Sequence, residues 1–183
     1  MNNYTFLQKK LHKLALGNEF VKKSLFEIEK NIYLKKENYK DNNHIFITGL
    51  ARSGTTSLLN FFHGTGNFAS LTYKDMPFVL SPKIFSKFSK NKKIKKSERI
   101  HNDGIVYDQD SPDTFDEVFF LTFKNNEIEN NYVDLINLIL KKYNKKLYLS
   151  KNNNNYKRIE KISSSFPNSS IIIPFRDPLQ HAN

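Results

Sequence analysis

The chain has 183 residues, the usual length of one domain, and carries a formal net charge of +11. It contains no cysteine, which excludes a disulfide framework, a thiolate metal site and a thiol nucleophile. Its longest apolar runs, such as "IIIPF" and "LINLIL", are far shorter than the ~18 residues that span a bilayer. The N-terminus lacks the apolar stretch of a signal peptide. We therefore expect a cytoplasmic protein with no transmembrane segment.

The positive charge is concentrated in one segment. Residues 83–99 hold eight basic side chains against one acidic side chain, a local charge of +7. Such a segment is typical of a solvated helix face or loop, but it also fits a surface that binds nucleic acid or another polyanion. A non-enzymatic nucleic-acid-binding protein is therefore one alternative function.

The predicted elements alternate along the chain. The first 40 residues predict a helical segment of the same domain, with helices over 4–16 and 19–36. The pattern then predicts strands at 44–48, 68–72, 147–150 and 170–175, and helices at 55–63, 78–88, 132–143 and 156–166. A further helix is predicted from the cap Ser111 and from Pro112, and Asp113, Asp116 and Glu117 are interpreted as its N-terminal charges. The alternation indicates an α/β domain over 41–183, with a parallel sheet flanked by helices.

The first strand leads into the glycine-rich stretch "GLARSGTTSLL", residues 49–59. A glycine-rich turn that enters a helix points backbone N–H groups and the positive end of the helix dipole at one position, where an anion can bind. The spacing of Gly49 and Gly54 fits the phosphate loop of nucleotide kinases and NTPases, but Thr55 stands where that loop has lysine. The cation is Arg52 instead. A kinase or NTPase is therefore a second alternative, which the missing lysine disfavours.

Two stretches resemble the sulfotransferases that use 3′-phosphoadenosine 5′-phosphosulfate (PAPS). "ARSGTTSLL" resembles their 5′-phosphosulfate loop, and "FPNSSIIIPFRDPLQHAN" resembles the strand and loop that bind the 3′-phosphate through the pattern Arg-(Asp or Asn)-Pro. Between them, "YLSKNNNNYKRIEKISSSFP" is similar to the Lys-(Asn or Ser) segment and the following helix. The resemblance runs from about His44 to the end of the chain. Arginine in the first loop is most similar to the bacterial members, and the carboxylate after the second strand, Asp75, is similar to the carbohydrate-type members.

The resemblance implies an enzyme with a P-loop-NTPase-like parallel sheet. It would transfer a sulfuryl group from the co-substrate PAPS to a hydroxyl of a carbohydrate or glycolipid, without a metal ion and without a nucleic-acid partner. Arg52 would lie beside the bridging and sulfonyl oxygens, and Arg176 would bind the 3′-phosphate. The 5′-phosphate would be held by the backbone and hydroxyl groups of Ser53, Gly54, Thr55, Thr56 and Ser57.

The general base is the least defined part of this expectation. Cytosolic small-molecule relatives carry a histidine after the strand that precedes the Arg-Asp-Pro strand, but here that stretch reads "SKNNNN". Carbohydrate-type relatives place a carboxylate after the second strand, which makes Asp75 in "LTYKDMPF" the first candidate base. His101 is the second candidate. Lys151 is expected to contact the sulfuryl group or the acceptor.

The resemblance also implies a serine eight positions after Arg176, on the next helix, whereas the sequence given ends at Asn183. We therefore expect an incomplete sulfotransferase, with the C-terminal part of the fold missing. Weak cofactor binding, and little or no activity, are expected of these 183 residues alone.

Overall fold

The computed structural model describes residues 10, 13, 15–34, 39–86, 97–98, 106–124 and 127–177. Four parallel strands form the central sheet in the order β2–β5–β1–β6. They are β1 (Ile45–Ile47), β2 (Phe68–Ala69), β5 (Leu147–Lys151) and β6 (Ser170–Ile172). Two short strands, β3 (Ser97–Glu98) and β4 (Val106–Tyr107), form a separate antiparallel pair. The predicted α/β class and parallel sheet are confirmed.

Helices flank the sheet at most of the predicted positions. They are α1 (Glu19–Tyr33), α2 (Thr55–Gly64), α3 (Pro82–Ser86), α4 (Glu117–Thr122), α5 (Ile128–Tyr143) and α6 (Ile159–Ser165). Two 3₁₀ helices, Tyr73–Asp75 and Asn153–Arg158, lie in the loops after β2 and β5. Most of the helix predicted over 4–16 lies outside the described residues.

The helix predicted from Ser111 begins only at Glu117, so this prediction is wrong. The Ser111 hydroxyl closes a turn instead, because it accepts from the Asp108 amide at 2.9 Å and donates to the Asp108 carboxylate at 2.9 Å. Pro112 forms an isolated antiparallel bridge with Thr72. Serine and aspartate cap turns as readily as helices, and here the pairing with the chain after β2 extends residues 111–112.

The two faces of the sheet have different neighbours. Phe46 of β1 and Tyr148 of β5 lie in the larger core cluster with Phe26 of α1 and Leu138 of α5. The next residue of each strand, Ile47 and Leu149, instead packs with Leu59 of α2. Since alternate residues of a strand point to opposite faces, side chains of β5 can be assigned to the α5 face or to the α2 face.

Glu29 of α1 is a buried acid that is 0% exposed. Its carboxylate accepts hydrogen bonds from the backbone amides of Lys83 at 2.8 Å and Ile84 at 2.9 Å, in the first turn of α3. Burial raises the pKa of Glu29 to about 7, although the two amide hydrogen bonds oppose this shift. Glu29 therefore links α1 to α3 in a way that depends on its protonation.

We expect Glu29→Gln to remove part of the pH dependence of stability. The pKa rises from an ordinary value of 4.5 to about 7 on folding, so between these values the folded state holds the extra proton. The free energy of unfolding should then fall as pH rises from 5 to 7.5, by at most about 3 kcal/mol. Urea unfolding at both pH values measures this fall in wild type, in Glu29→Gln and in the exposed-acid control Glu127→Gln. Equal pH dependence in wild type and Glu29→Gln would contradict the assignment.

Candidate functional site

Two of the predicted site segments meet at the carboxyl ends of the parallel strands. We call residues 49–54 the Gly loop and residues 152–155 the Asn turn. Thr48, just before the Gly loop, donates from its amide to the Ile172 carbonyl of β6 at 3.0 Å and from its hydroxyl to the Asn153 carbonyl at 3.2 Å. The Asn152 amide donates to the Ile47 carbonyl at 2.9 Å. The carboxyl ends of β1, β5 and β6 therefore form one edge, where ligands of parallel sheets bind.

The Gly loop needs glycine at both of its ends. Gly49 has a φ of +155°, and a Cβ at this position would lie 3.2 Å from the Pro174 carbonyl oxygen and 3.3 Å from Ser53 Oγ. Gly54 has a φ of +91°, which side chains rarely adopt. The approach to Pro174 also brings the segment that carries Arg176 next to the loop.

The start of α2 is built to face an anion. Gly54 is its N-cap and offers no side-chain cap, and the first turn has no acidic residue. The first amides of a helix have no acceptor within the helix, so those of Thr55, Thr56 and Ser57 are available. With the helix dipole, they form a ready anion site.

The side chains of the Gly loop and α2 differ in exposure. Thr55 is buried, Thr56 is half-buried, and Ser57 is exposed. The Ser53 hydroxyl donates to the Leu50 carbonyl at 2.8 Å and so stabilises the loop itself. Of the predicted hydroxyl donors, Ser53 therefore already has a partner within the loop.

Arg52 has a left-handed backbone, with a φ of +68°. This conformation is uncommon for a residue other than glycine, and such strained residues cluster at functional sites. The Arg52 side chain is exposed, and so is that of Arg176. Both predicted anion-binding arginines therefore lie at the surface of the same sheet edge.

Lys151 is the last residue of β5 and pairs in register with Ile47. Its Nζ donates to the Thr114 hydroxyl at 3.4 Å. Leu149 packs on the α2 side of the sheet, so Lys151, two residues later, leaves the strand on the same side. The Gly loop also leads into α2, and Lys151 and the loop therefore share one face.

Two acids at the start of α4 also hold the Asn turn. Asp116 and Glu117 lie at the helix N-terminus, as the sequence predicts, but the Asp116 side chain makes no cap hydrogen bond. Its carboxylate accepts from the hydroxyls of Ser150 and Tyr132 and from the side-chain amide of Asn152. Burial raises the pKa of Asp116, and these three hydrogen bonds oppose the shift.

Glu117 holds the same turn from its other end. It accepts from both terminal nitrogens of Arg158, at 2.9 and 3.0 Å, and from the side-chain amides of Asn152 and Asn154. These bonds lower the pKa of Glu117 even though its burial opposes the shift. The partners lie more than 30 residues away, and no local pattern in the sequence signals such pairs.

Asp75, the first candidate base, lies in a buried ion pair. Its carboxylate accepts from Lys142 Nζ, from the Tyr143 hydroxyl at 2.7 Å and from the Thr72 amide at 2.7 Å. Lys74, its neighbour in sequence, contacts Asp110 instead at 2.5 Å. None of these partners belongs to the Gly loop, so the described contacts of Asp75 do not join it to that site.

The remaining predictions fall partly outside the described structure. His101, the second candidate base, and most of the basic segment 83–99 are not among the described residues. Within the described ranges, no group of three His, Asp or Glu side chains could hold a metal ion. No helix in the same ranges has both the length and the apolar character needed to cross a membrane.

Comparison with known proteins identifies the family. A family model described as "Sulfotransferase family" matches residues 44–183. No curated protein and no solved structure gave a significant match. The match covers most of the chain and begins at the strand that leads into the Gly loop. The chain belongs to the sulfotransferase family.

Proposed function

We propose that this sulfotransferase takes its sulfuryl group from PAPS and transfers it to a hydroxyl of a carbohydrate or glycolipid. The observation that carries the proposal is the uncapped start of α2, reached through a Gly loop that carries Arg52. A kinase loop would instead have a lysine directly after Gly54, where this chain has Thr55. An anion can bind there without a metal ion, because amide dipoles and a fixed positive charge supply the attraction. The reaction would take place in the cytoplasm and would involve no nucleic acid.

The residues of the site fit the two anionic ends of PAPS. The free amides of Thr55, Thr56 and Ser57 and the two threonine hydroxyls would hold the 5′-phosphate. When bound, PAPS supplies a sulfuryl group attached to a phosphate leaving group. Arg52 would stabilise the negative charge that develops on the leaving oxygen. Arginine stays protonated at physiological pH, so this contribution is electrostatic and involves no proton transfer.

Arg176 would bind the 3′-phosphate. It lies two residues after Pro174, whose carbonyl oxygen approaches Gly49. A guanidinium can donate two parallel hydrogen bonds to one phosphate. One short loop on each of two neighbouring strands would thus hold the two ends of the same nucleotide.

The base that accepts the proton of the acceptor hydroxyl is either Asp75 or His101. Asp75 is held by Lys142, Tyr143 and Thr72, and it could act as a base only if the acceptor displaced one of these donors. The carbohydrate class of acceptor rests on the resemblance and on the carboxamide-rich Asn turn, since carboxamides both donate to and accept from hydroxyls.

Isothermal calorimetry with adenosine 3′,5′-bisphosphate and with ATP tests the donor site. We expect the bisphosphate to bind about tenfold or more tightly than ATP, as for one additional hydrogen bond to a charged group, and to do so equally with and without magnesium. Arg176→Ala should remove most of this preference. Stronger binding of ATP, or a strict need for magnesium, would favour a kinase or NTPase and contradict the proposal.

A further inference from the structure

The Asp116 carboxylate contacts both neighbours of Lys151. One oxygen accepts from the Ser150 hydroxyl and the other accepts from the Asn152 side-chain amide at 3.2 Å. Asp116 is only 2% exposed. The residues on either side of Lys151 are therefore tied to one fixed, buried group.

The alternation of side chains along β5 places Lys151 and its two neighbours on opposite faces of the sheet. Tyr148 lies in the core cluster on the α5 face, whereas Leu149 packs with α2. By alternation, Ser150 and Asn152 point to the α5 face, where Asp116 meets them, and Lys151 points to the α2 face. Asp116 therefore holds the strand from one face while Lys151 leaves it on the face of the Gly loop.

Glu117 extends this hold along the Asn turn. Its carboxylate binds the Arg158 guanidinium through two hydrogen bonds, and Arg158 is the last residue of the 3₁₀ helix that contains the turn. The Arg158 guanidinium also lies 3.8 Å from the centre of the Phe120 ring. Both acids therefore bind Asn152 at the beginning of the turn, and Glu117 also binds Asn154 within it and Arg158 after it.

The turn keeps polar atoms that this network does not use. Asn153 Oδ1 and Asn155 Nδ2 are buried, and no residue within the described ranges supplies a hydrogen-bond partner for either atom. Buried polar atoms in native proteins are nearly always paired, and the exceptions concentrate where function requires them. A segment that served stability alone would not be expected to leave two such atoms within three residues.

We propose that Asp116 and Glu117 are positioning residues for sulfuryl transfer, which hold the Asn turn so that Lys151 faces the anion held by the Gly loop. The proposal rests on the proposed function for the reaction itself. The contact of the two acids with the turn does not depend on which donor binds.

Asp116→Asn tests the proposal, because asparagine keeps the volume but cannot accept all three hydrogen bonds. The assay uses ³⁵S-labelled PAPS and a mixture of soluble oligosaccharides as acceptors. We expect kcat to fall about 10- to 100-fold, as for a small misplacement of a reacting group, with the affinity for adenosine 3′,5′-bisphosphate unchanged. The matched control is Asp134→Asn, since Asp134 pairs with Lys30 at 3.0 Å outside this network. Full activity of Asp116→Asn would overturn the proposal.

A double-variant comparison shows whether the effect passes through Lys151. In the Lys151→Met background, Asp116→Asn should lower kcat little further, because the effects of substituting two residues that act as one unit are not additive. Additive losses would show that Asp116 acts by another route and would overturn the proposal. Glu117→Gln provides a second variant for the same comparison if Asp116→Asn does not fold.

Hydrogen exchange separates this proposal from the proposed function. The amides of Asn152, Asn154 and Asn155 are all hydrogen-bonded in the turn or to β1. We expect them to exchange faster in Asp116→Asn than in wild type and in Asp134→Asn. If the wild type transfers no sulfuryl group but these amides still exchange faster in Asp116→Asn, the proposed function is wrong, while the role of Asp116 in fixing the Asn turn is supported. Unchanged exchange rates in Asp116→Asn would contradict that role.

Discussion

In a full-length form of the protein, Arg52→Ala is expected to lower kcat for sulfuryl transfer by roughly 10²–10³, as for the loss of one preorganised charge-stabilising donor. Arg52 follows the strand that ends at the site and is held in a left-handed conformation by the Gly loop. Its charge would act on the leaving oxygen mainly as the bond to sulfur breaks. The loss should therefore appear in kcat more than in the affinity for adenosine 3′,5′-bisphosphate.

Two further substitutions separate charge from backbone strain at this position. Arg52→Lys keeps a positive charge but loses the planar donor set, so it should retain more activity than Arg52→Ala. Arg52→Gly suits the φ of +68°, and its free energy of unfolding should not fall although its activity does. Initial-rate kinetics and urea unfolding of the three variants provide the measurements. Near-normal kcat in Arg52→Ala would remove Arg52 from the proposed chemistry.

The sequence was most informative where the signal is local. Apolar runs followed by glycine or polar turns placed all four strands of the parallel sheet, because strand burial and turn chemistry are set by neighbouring residues. Gly49 and Gly54 were assigned to a glycine-rich turn that enters a helix, and their φ values of +155° and +91° are ones that other residues rarely adopt. The start of α2 at Thr55 followed from the same loop.

The sequence was misleading where a local signal had a distant partner. Ser111 and Pro112 are a good helix start, but their pairing with Asp108 and Thr72 formed a turn and a bridge instead. Asp116 and Glu117 fit the first turn of a helix, but their carboxylates bind the Asn turn more than 30 residues later. Which of several possible partners an acid takes depends on how the fold brings the start of α4 to the Asn turn, and the spacing of residues in the sequence alone does not determine that.

Asp75 is expected to matter first for stability. Its side chain is 0% exposed, and that of its ion-pair partner Lys142 is 9% exposed. Removing one partner of a buried pair leaves the other charge uncompensated and typically costs about 3–5 kcal/mol. We therefore expect Asp75→Asn to lower the free energy of unfolding by about that amount, as measured by urea unfolding. The control is Asp110→Asn, because the pair of Asp110 with Lys74 is 72% and 38% exposed and should contribute less than about 1 kcal/mol.

The double variant Asp75→Asn with Lys142→Met then tests whether Asp75 also acts as the base. Methionine fills the space of the lysine stem without a charge, so much of the lost stability should return. Because this protein is folded, its turnover reports on chemistry alone. A remaining loss of about 10²-fold or more would support Asp75 as the general base. If turnover recovers together with stability, Asp75 is structural, and a loss of activity in His101→Ala would then assign the proton transfer to His101.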